Sequence, residues 1–252
     1  MKKCLWCLKS ENQVSFIKKA HTIPKSLGGE KLNYNVCDGC NEYFGNKQEE
    51  KFSIEEALKE AFNISRKRIL MVSNPKRQVG KFKSRFFEIK EKNGKPKIEF
   101  KTSFRFDSDF QKVLCRSFKR GLYKLYLEEL NRQKKIGFEK SFDLIRKFAR
   151  YNENDLPVFY FQRKHGIIAL MGREAESPEL HFKRMKYIYS NEYFEEIEFL
   201  GHVFGFPKKD FTLRDFDDYF NESSKIKDGF FIGLIKIEKF TNIDITLSIM
   251  NT

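Results

Sequence analysis

An α+β fold in two parts is predicted, on three observations: two Cys-x-x-Cys pairs confined to the N-terminal end, a change beyond Gly45 to a Phe-rich and basic composition, and alternating strand-like and helix-like patterns through the rest. The parts are a small metal-stapled module, residues 1–52, and a larger mixed α+β basic domain, residues 53–252. At 252 residues the chain is long enough to give the second part a sizeable core.

Cys4/Cys7 and Cys37/Cys40 have the spacing of a structural zinc site. Each x2 turn turns both of its sulfurs to the same side, so four thiolates can close a tetrahedron around one Zn²⁺. Val14 to Ala20 reads as a short strand leading into His21, with a turn at Gly28-Gly29. A second short strand, Leu32 to Val36, runs into the second cysteine pair, and a helix starting near Asp38 carries Asn41, Tyr43 and Phe44. So small a unit buries too little apolar surface to fold alone, so metal binding supplies much of its folding free energy.

Beyond Gly45, Ser53 followed by Glu56 is a capping box for a helix through Phe62. The stretch Ser65 to Arg85 carries Arg66, Lys67, Arg68, Lys76, Arg77, Lys81, Lys83 and Arg85 without an acid, which suits phosphate contact. Phe86 to Phe106 reads as a hairpin turning at Asn93-Gly94. Leu114, Phe118, Leu122, Leu125 and Leu130 recur at helical spacing, with Ser108 as N-cap. Further strands are expected at Val158 to Gln162, Gly166 to Met171, Phe230 to Ile237 and Ile243 to Met250.

A formal charge of +14 favours a polyanionic partner, of which nucleic acid is the commonest. No apolar run approaches the ~20 residues that span a bilayer, and Met1 to Cys7 lacks the apolar region of a signal peptide. A cytoplasmic protein without membrane contact is expected. Free thiols fit that setting: four serve metal, and Cys115, within a helical apolar pattern, reads as a small core residue. His165, His181 and His202 carry no recognisable chemistry, and the 28 Phe are expected to fill the core.

The run His21-Thr22-Ile23-Pro24-Lys25-Ser26-Leu27-Gly28-Gly29, followed by Asn35-Val36-Cys37-Asp38-Gly39-Cys40-Asn41-Glu42-Tyr43-Phe44-Gly45, resembles the HNH endonuclease family, in the branch whose ββα-metal fold is braced by four cysteines. The resemblance implies phosphodiester hydrolysis. It makes His21 the general base that takes a proton from the attacking water. Asn35, with Asn33 as fallback, becomes the asparagine that fixes the backbone or orients His21, and Asn41 a ligand of the catalytic divalent cation, Mg²⁺ or Mn²⁺. Members of the family often carry an acid immediately before the histidine, where this chain has Ala20. By the family's pattern Glu49 is the candidate compensating ligand, ahead of Glu50 and Glu42.

A metal-dependent endonuclease acting on double-stranded DNA is therefore expected, of restriction or defence type, with residues 53–252 gripping or selecting the substrate. Cutting both strands needs two such sites, which makes a homodimer the expected form. The alternative is a non-catalytic zinc-containing nucleic-acid-binding protein whose HNH module has decayed to a scaffold. Ala20 favours it, while His21, Asn35 and Asn41 oppose it, since a scaffold needs only the cysteines and the apolar residues. A third reading makes the C-terminal part a protein- or ligand-sensing domain that switches the nuclease.

Overall fold

The computed structural model describes residues 2–47, 52–70, 84–93, 95–163, 178–182, 193–224 and 231–243, and within them the fold is α+β. Its N-terminal unit is knitted mainly by loops. The first cysteine pair lies in a tight turn closed by a Lys3–Ser10 bridge, with Leu8 at φ 58°. The second pair opens helix α1 (Asp38–Gly45), with Cys37 at its N-cap.

The expected strand over Val14 to Ala20 does not form as a ladder, and the helix explains why. The Asp38 carboxylate accepts the backbone N–H groups of Ile17 (3.1 Å) and Lys18 (2.7 Å), and the Asp38 N–H goes to the Ser15 carbonyl (2.9 Å). Groups that a strand would pair are thus taken by the start of α1, where a carboxylate is also favoured by the helix dipole. Of the two expected strands only a bridge between His21 and Leu32 remains.

Helix α2 (Ile54–Leu70) is capped as expected, Ser53 Oγ accepting the Glu56 N–H at 3.0 Å, and it runs beyond Phe62. Strands β1 (Phe87–Lys92) and β2 (Lys95–Phe100) form the expected antiparallel hairpin, with Asn93 at φ 56° in the turn; Gly94 lies outside the described residues. Helix α3 (Ser108–Lys134) is capped one residue earlier than the sequence suggests: Asp107 Oδ1 accepts the Phe110 N–H at 2.9 Å. Either residue type can cap, and the aspartate adds a charge suited to the N-terminal dipole. Helix α4 (Asp143–Tyr151) follows, ending at Asn152 in the left-handed region.

A five-stranded antiparallel sheet comes next, from β3 (Phe159–Arg163), β4 (Leu180–Phe182), β5 (Phe194–Phe199), β6 (His202–Pro207) and β7 (Phe231–Lys236), in the order β4-β5-β6-β3-β7. Helix α5 (Leu213–Ser224) precedes β7. Strands β3 and β7 match expectation, whereas Gly166 to Met171, His165 and the chain beyond Ile243 lie outside the described residues. Strand periodicity divides the sheet between two layers. Tyr160, Phe204 and Phe206 face α3, where Phe206 meets Tyr123 and Tyr126, while Phe159 and Phe194 face α5, where Phe194 stacks on Tyr219 at 4.3 Å. Gly205 permits this second packing, because a Cβ there would lie 1.8 Å from Tyr219 Oη.

One cluster of buried residues runs from Cys4 to Ile243. Helix α3 is its strut, touching α2, α4, β4 and, through Lys124 and Glu128, the His21 loop. Cys115 is buried on this helix, and burial pushes its thiol up to about 12, as expected of a core residue. His202 is buried as well, its Nε2 2.7 Å from Ser65 Oγ and its Nδ1 3.1 Å from Tyr160 Oη.

Candidate functional site

The four knuckle cysteines converge, all their sulfurs lying within 4.8 Å of one another, with Cys7 Sγ 3.8 Å from Cys37 Sγ and no disulfide formed. Tetrahedral Zn–S bonds of ~2.3 Å put sulfurs about 3.8 Å apart, so the donor set fits a closed structural zinc centre. Local geometry favours thiolate at Cys4: the Cys40 thiol donates to it, backbone N–H groups including that of Cys37 (3.4 Å) add to this against the effect of burial, and its pKa is drawn down to about 5. Burial instead pushes Cys37 up to about 11. Arg150 on α4 supplies a positive charge beside the cluster, its Nε 3.4 Å from Cys40 Sγ and its guanidinium stacked 3.8 Å from the Tyr43 ring centroid. Four thiolates around Zn²⁺ carry an excess of negative charge, and a fixed guanidinium from the larger part of the chain offsets some of it.

His21 sits on the rim of the same unit. Ala20 and Thr22 on either side are buried, and the His21 ring is half-buried. The segment is held by Thr22 N–H to Lys31 O (3.1 Å) and Asn33 N–H to Ala20 O (2.9 Å). Beyond it a 3-10 turn (Lys25–Leu27) ends at Gly28, φ 94°, and Gly29 passes so close that a Cβ would lie 1.9 Å from Ile23 O. The paired glycines therefore have separate reasons, left-handed backbone at the first and close approach at the second.

Beneath the loop lies a buried ionic hub that the sequence reading did not single out. Lys124 Nζ donates to the carbonyls of His21 (3.2 Å) and Thr22 (3.5 Å) and pairs with Glu128 Oε2 (3.1 Å) and Glu55 Oε1 (3.2 Å). Glu128 also accepts Trp6 Nε1–H (2.9 Å), and the Thr22 hydroxyl donates to Glu129, whose carboxylate is clamped by Arg132 and Gln133. Burial opposes the charge on Lys124, but Glu128 and Glu55 outweigh it and hold the ammonium above the usual lysine range. Burial pushes Glu128 up to about 7, the ammonium and the indole offsetting it only in part. A Lys and a Glu at i, i+4 inside the leucine and tyrosine run Leu122 to Leu130 was the available signal, since charged residues are rarely placed there without a partner.

His21 has its pKa lowered, first by burial and then by Lys25 and Lys124, with a hydrogen bond to the Lys19 backbone and the charge of Glu55 acting the other way. The imidazole is accordingly neutral at neutral pH. Asn33 is buried and bridges segments, donating to Glu128 O (3.0 Å) and accepting the Asn35 N–H (2.9 Å). Asn35 lies nearer the first knuckle, donating to Lys3 O (3.3 Å) and accepting from Asn131 (3.4 Å). Asn41 is half-buried on α1, and its amide side chain makes no hydrogen bond among the described residues. Glu42 pairs with Lys18, and Glu49 and Glu50 lie outside the described residues. Glu55 reaches the same region: its Oε2 is 3.8 Å from where a Cβ on Gly45 would sit, one helical turn beyond Asn41 on the same face of α1.

The basic stretch is only partly in view. Arg66, Lys67 and Arg68 belong to α2, Arg85 places its guanidinium on Glu56 (3.2 Å), and Lys76, Arg77, Lys81 and Lys83 lie outside the described residues. No helix among the described residues is long and apolar enough to cross a membrane.

Residues 4–56 match the family model for HNH endonuclease. No curated protein and no solved structure matches the chain.

Proposed function

We propose, with the HNH match over residues 4–56 as premise, that the protein is a metal-dependent endonuclease that hydrolyses DNA at His21. The observation that carries this reading is a half-buried imidazole on a loop whose flanking residues are buried and fixed from below by Lys124; burial, Lys25 and Lys124 lower its pKa. A neutral imidazole can take the proton of an attacking water. Asn33 and Asn35 hold the segment opposite His21 against Glu128 and the first knuckle. Asn41 would hold the catalytic Mg²⁺ or Mn²⁺, with Glu49, or on the geometry Glu55, as its carboxylate. When bound, such a cation stabilises the leaving oxygen and the developing charge on phosphorus. The excess positive charge of the chain suits DNA, and the basic residues from Arg66 to Lys83 are the candidate phosphate contacts.

Incubation with supercoiled plasmid in Mg²⁺, Mn²⁺ or EDTA tests the reading. Nicking is expected with metal and lost with EDTA, and His21→Ala is expected to reduce the rate by roughly 10²–10⁴-fold, the usual contribution of a general base. Undiminished cutting by His21→Ala would remove His21 from the role. The pH profile is a separate check. Only neutral His21 acts as base, so activity persists as pH falls and declines on passing its lowered pKa; the midpoint is expected below the ~6.5 of a free imidazole. A midpoint at or above that value would contradict the assignment.

A second reading, a nucleic-acid-binding protein without catalysis, is favoured by Ala20. That position is 2% exposed and offers no carboxylate to a cation. Equal gel shifts by wild type and His21→Ala, without nicking in any metal, would establish it. Restriction-type action on both strands adds one expectation, a homodimer in sedimentation analysis.

A further inference from the structure

We infer that the cleft between the His21 loop, the end of α3 and strand β4 is a subsite for an unstacked nucleobase beside the scissile phosphate; this rests on the nuclease reading for its place in the reaction. The cleft has a volume of about 330 Å³ and is lined by Ile23, Lys31, Glu129, Arg132, Gln133 and the β4 segment with Glu179 and His181. That volume falls at the lower end of small-molecule sites, ~300–1,000 Å³, and suits one nucleoside rather than a helix or a peptide.

Its chemistry selects a neutral, flat, polar ligand. Lys31 and Arg132 are balanced by Glu129 and Glu179, so the cleft has no surplus charge for a bare phosphate. Its polar groups are of two kinds. Arg132 and Gln133 are held in place by the Glu129 carboxylate, through Nε and one Nη of the first (3.0 and 2.8 Å) and Nε2 of the second (2.9 Å). That leaves the other Nη of Arg132 as a fixed donor and Oε1 of Gln133 as a fixed acceptor. The side chains of Lys31, Glu179 and His181 make no hydrogen bond or ion pair among the described residues. Fixed donors and acceptors beside the apolar Ile23 and the His181 ring match the hydrogen-bonding edge and the flat face of a base.

Position supplies the link to the reaction. Ile23 is two residues from His21, and Thr22 between them is bonded to Glu129 in the cleft wall. A nucleotide whose phosphate lies at His21 therefore has its base within reach of the cleft, and in a duplex that base must leave the stack to enter.

The test uses the whole 252-residue chain, zinc-loaded and with ¹³C-labelled histidine, titrated with the four deoxynucleosides and separately with inorganic phosphate. His181 is assigned with His181→Gln. At least one nucleoside is expected to move the His181 Cε1–H resonance saturably, phosphate is not, and Gln133→Ala with unchanged zinc content is expected to weaken the response by roughly tenfold. No response to any nucleoside, or an equal response to phosphate, overturns the inference. Sequencing the ends cut from a random duplex library by wild type and Gln133→Ala adds the reaction itself: a changed base preference at the cut supports the subsite, and an identical profile refutes its part in cleavage. If wild type cuts nothing, the nuclease reading fails, while the nucleoside titration still decides the cleft.

Discussion

Removing zinc is expected to melt residues 2–47 and to loosen α3 with them. A structural zinc site contributes ~10–16 kcal/mol of apparent binding free energy, as much as the ~5–15 kcal/mol by which an ordinary domain is stable. The N-terminal unit has little else to fall back on, since apart from the short helix α1 its backbone is held by isolated bridges and turns. It is not an independent bead, however. Leu5, Trp6, Val36 and Phe44 belong to the same buried cluster as Leu122 and Tyr126 of α3, and Arg146 of α4 donates to Leu5 O at 2.8 Å. Cys37→Ser, or a chelator strong enough to strip the ion, should therefore raise amide hydrogen exchange throughout residues 2–47 and also along the α3 face that carries Lys124. Unchanged exchange of residues 2–47 in the zinc-free protein would show that these sulfurs hold no structural ion. If exchange rose in residues 2–47 and α3 stayed protected, the cluster would be shared in contact and separate in stability.

How much of this could be read from the chain depended on whether the deciding contacts were local. The cysteine pairs, the glycine turn, the cap at Ser53, the hairpin and the apolar stripe of α3 are encoded within a few residues each, and the structure has them. The strand expected over Val14 to Ala20 failed because Asp38, far along the sequence, takes its backbone N–H groups. Strand β5, Phe-Glu-Glu-Ile-Glu-Phe, shows no clean alternation because two of its acids take buried positions, Glu195 and Glu196, the first accepting the Tyr126 hydroxyl at 3.0 Å. The histidine loop was legible from its motif, but its support was not. Lys124, Glu128 and Glu129 lie about a hundred positions from the residues they hold, and a charged residue in a helix reads by default as solvent-facing.

That hub yields the second large effect. Lys124→Met keeps the length of the side chain and removes its charge, leaving the buried Glu128 carboxylate, the part-exposed Glu55 carboxylate and the His21 carbonyl without their ammonium. Breaking a buried ion pair from one side commonly costs ~3–5 kcal/mol, because the abandoned charge stays desolvated. Here the loss depends on pH in a defined direction. Burial already raises the Glu128 carboxyl to about 7, and without Lys124 it rises further. A carboxyl raised on folding favours the native state below its unfolded value, about 4.5, and that advantage disappears as pH climbs through the folded value. The variant should thus be only mildly destabilised at pH 5.5, where Glu128 is protonated, and strongly at pH 8, where the folded state must bury a lone charge or bind a proton against the solvent. Urea midpoints at the two pH values measure this. Adding Glu128→Gln to Lys124→Met removes the buried stranded charge, leaving that of the more exposed Glu55, keeps an acceptor for Trp6 Nε1–H, and is expected to recover most of the loss at pH 8. Equal destabilisation at both pH values, with no recovery in the double variant, would mean that Lys124 matters for its packing against Phe44 (5.7 Å from the ring centroid) rather than for its charge. On the nuclease reading, full recovery of stability with cleavage still impaired would separate two roles of Lys124: neutralising Glu128 within the core, and holding the carbonyl of His21.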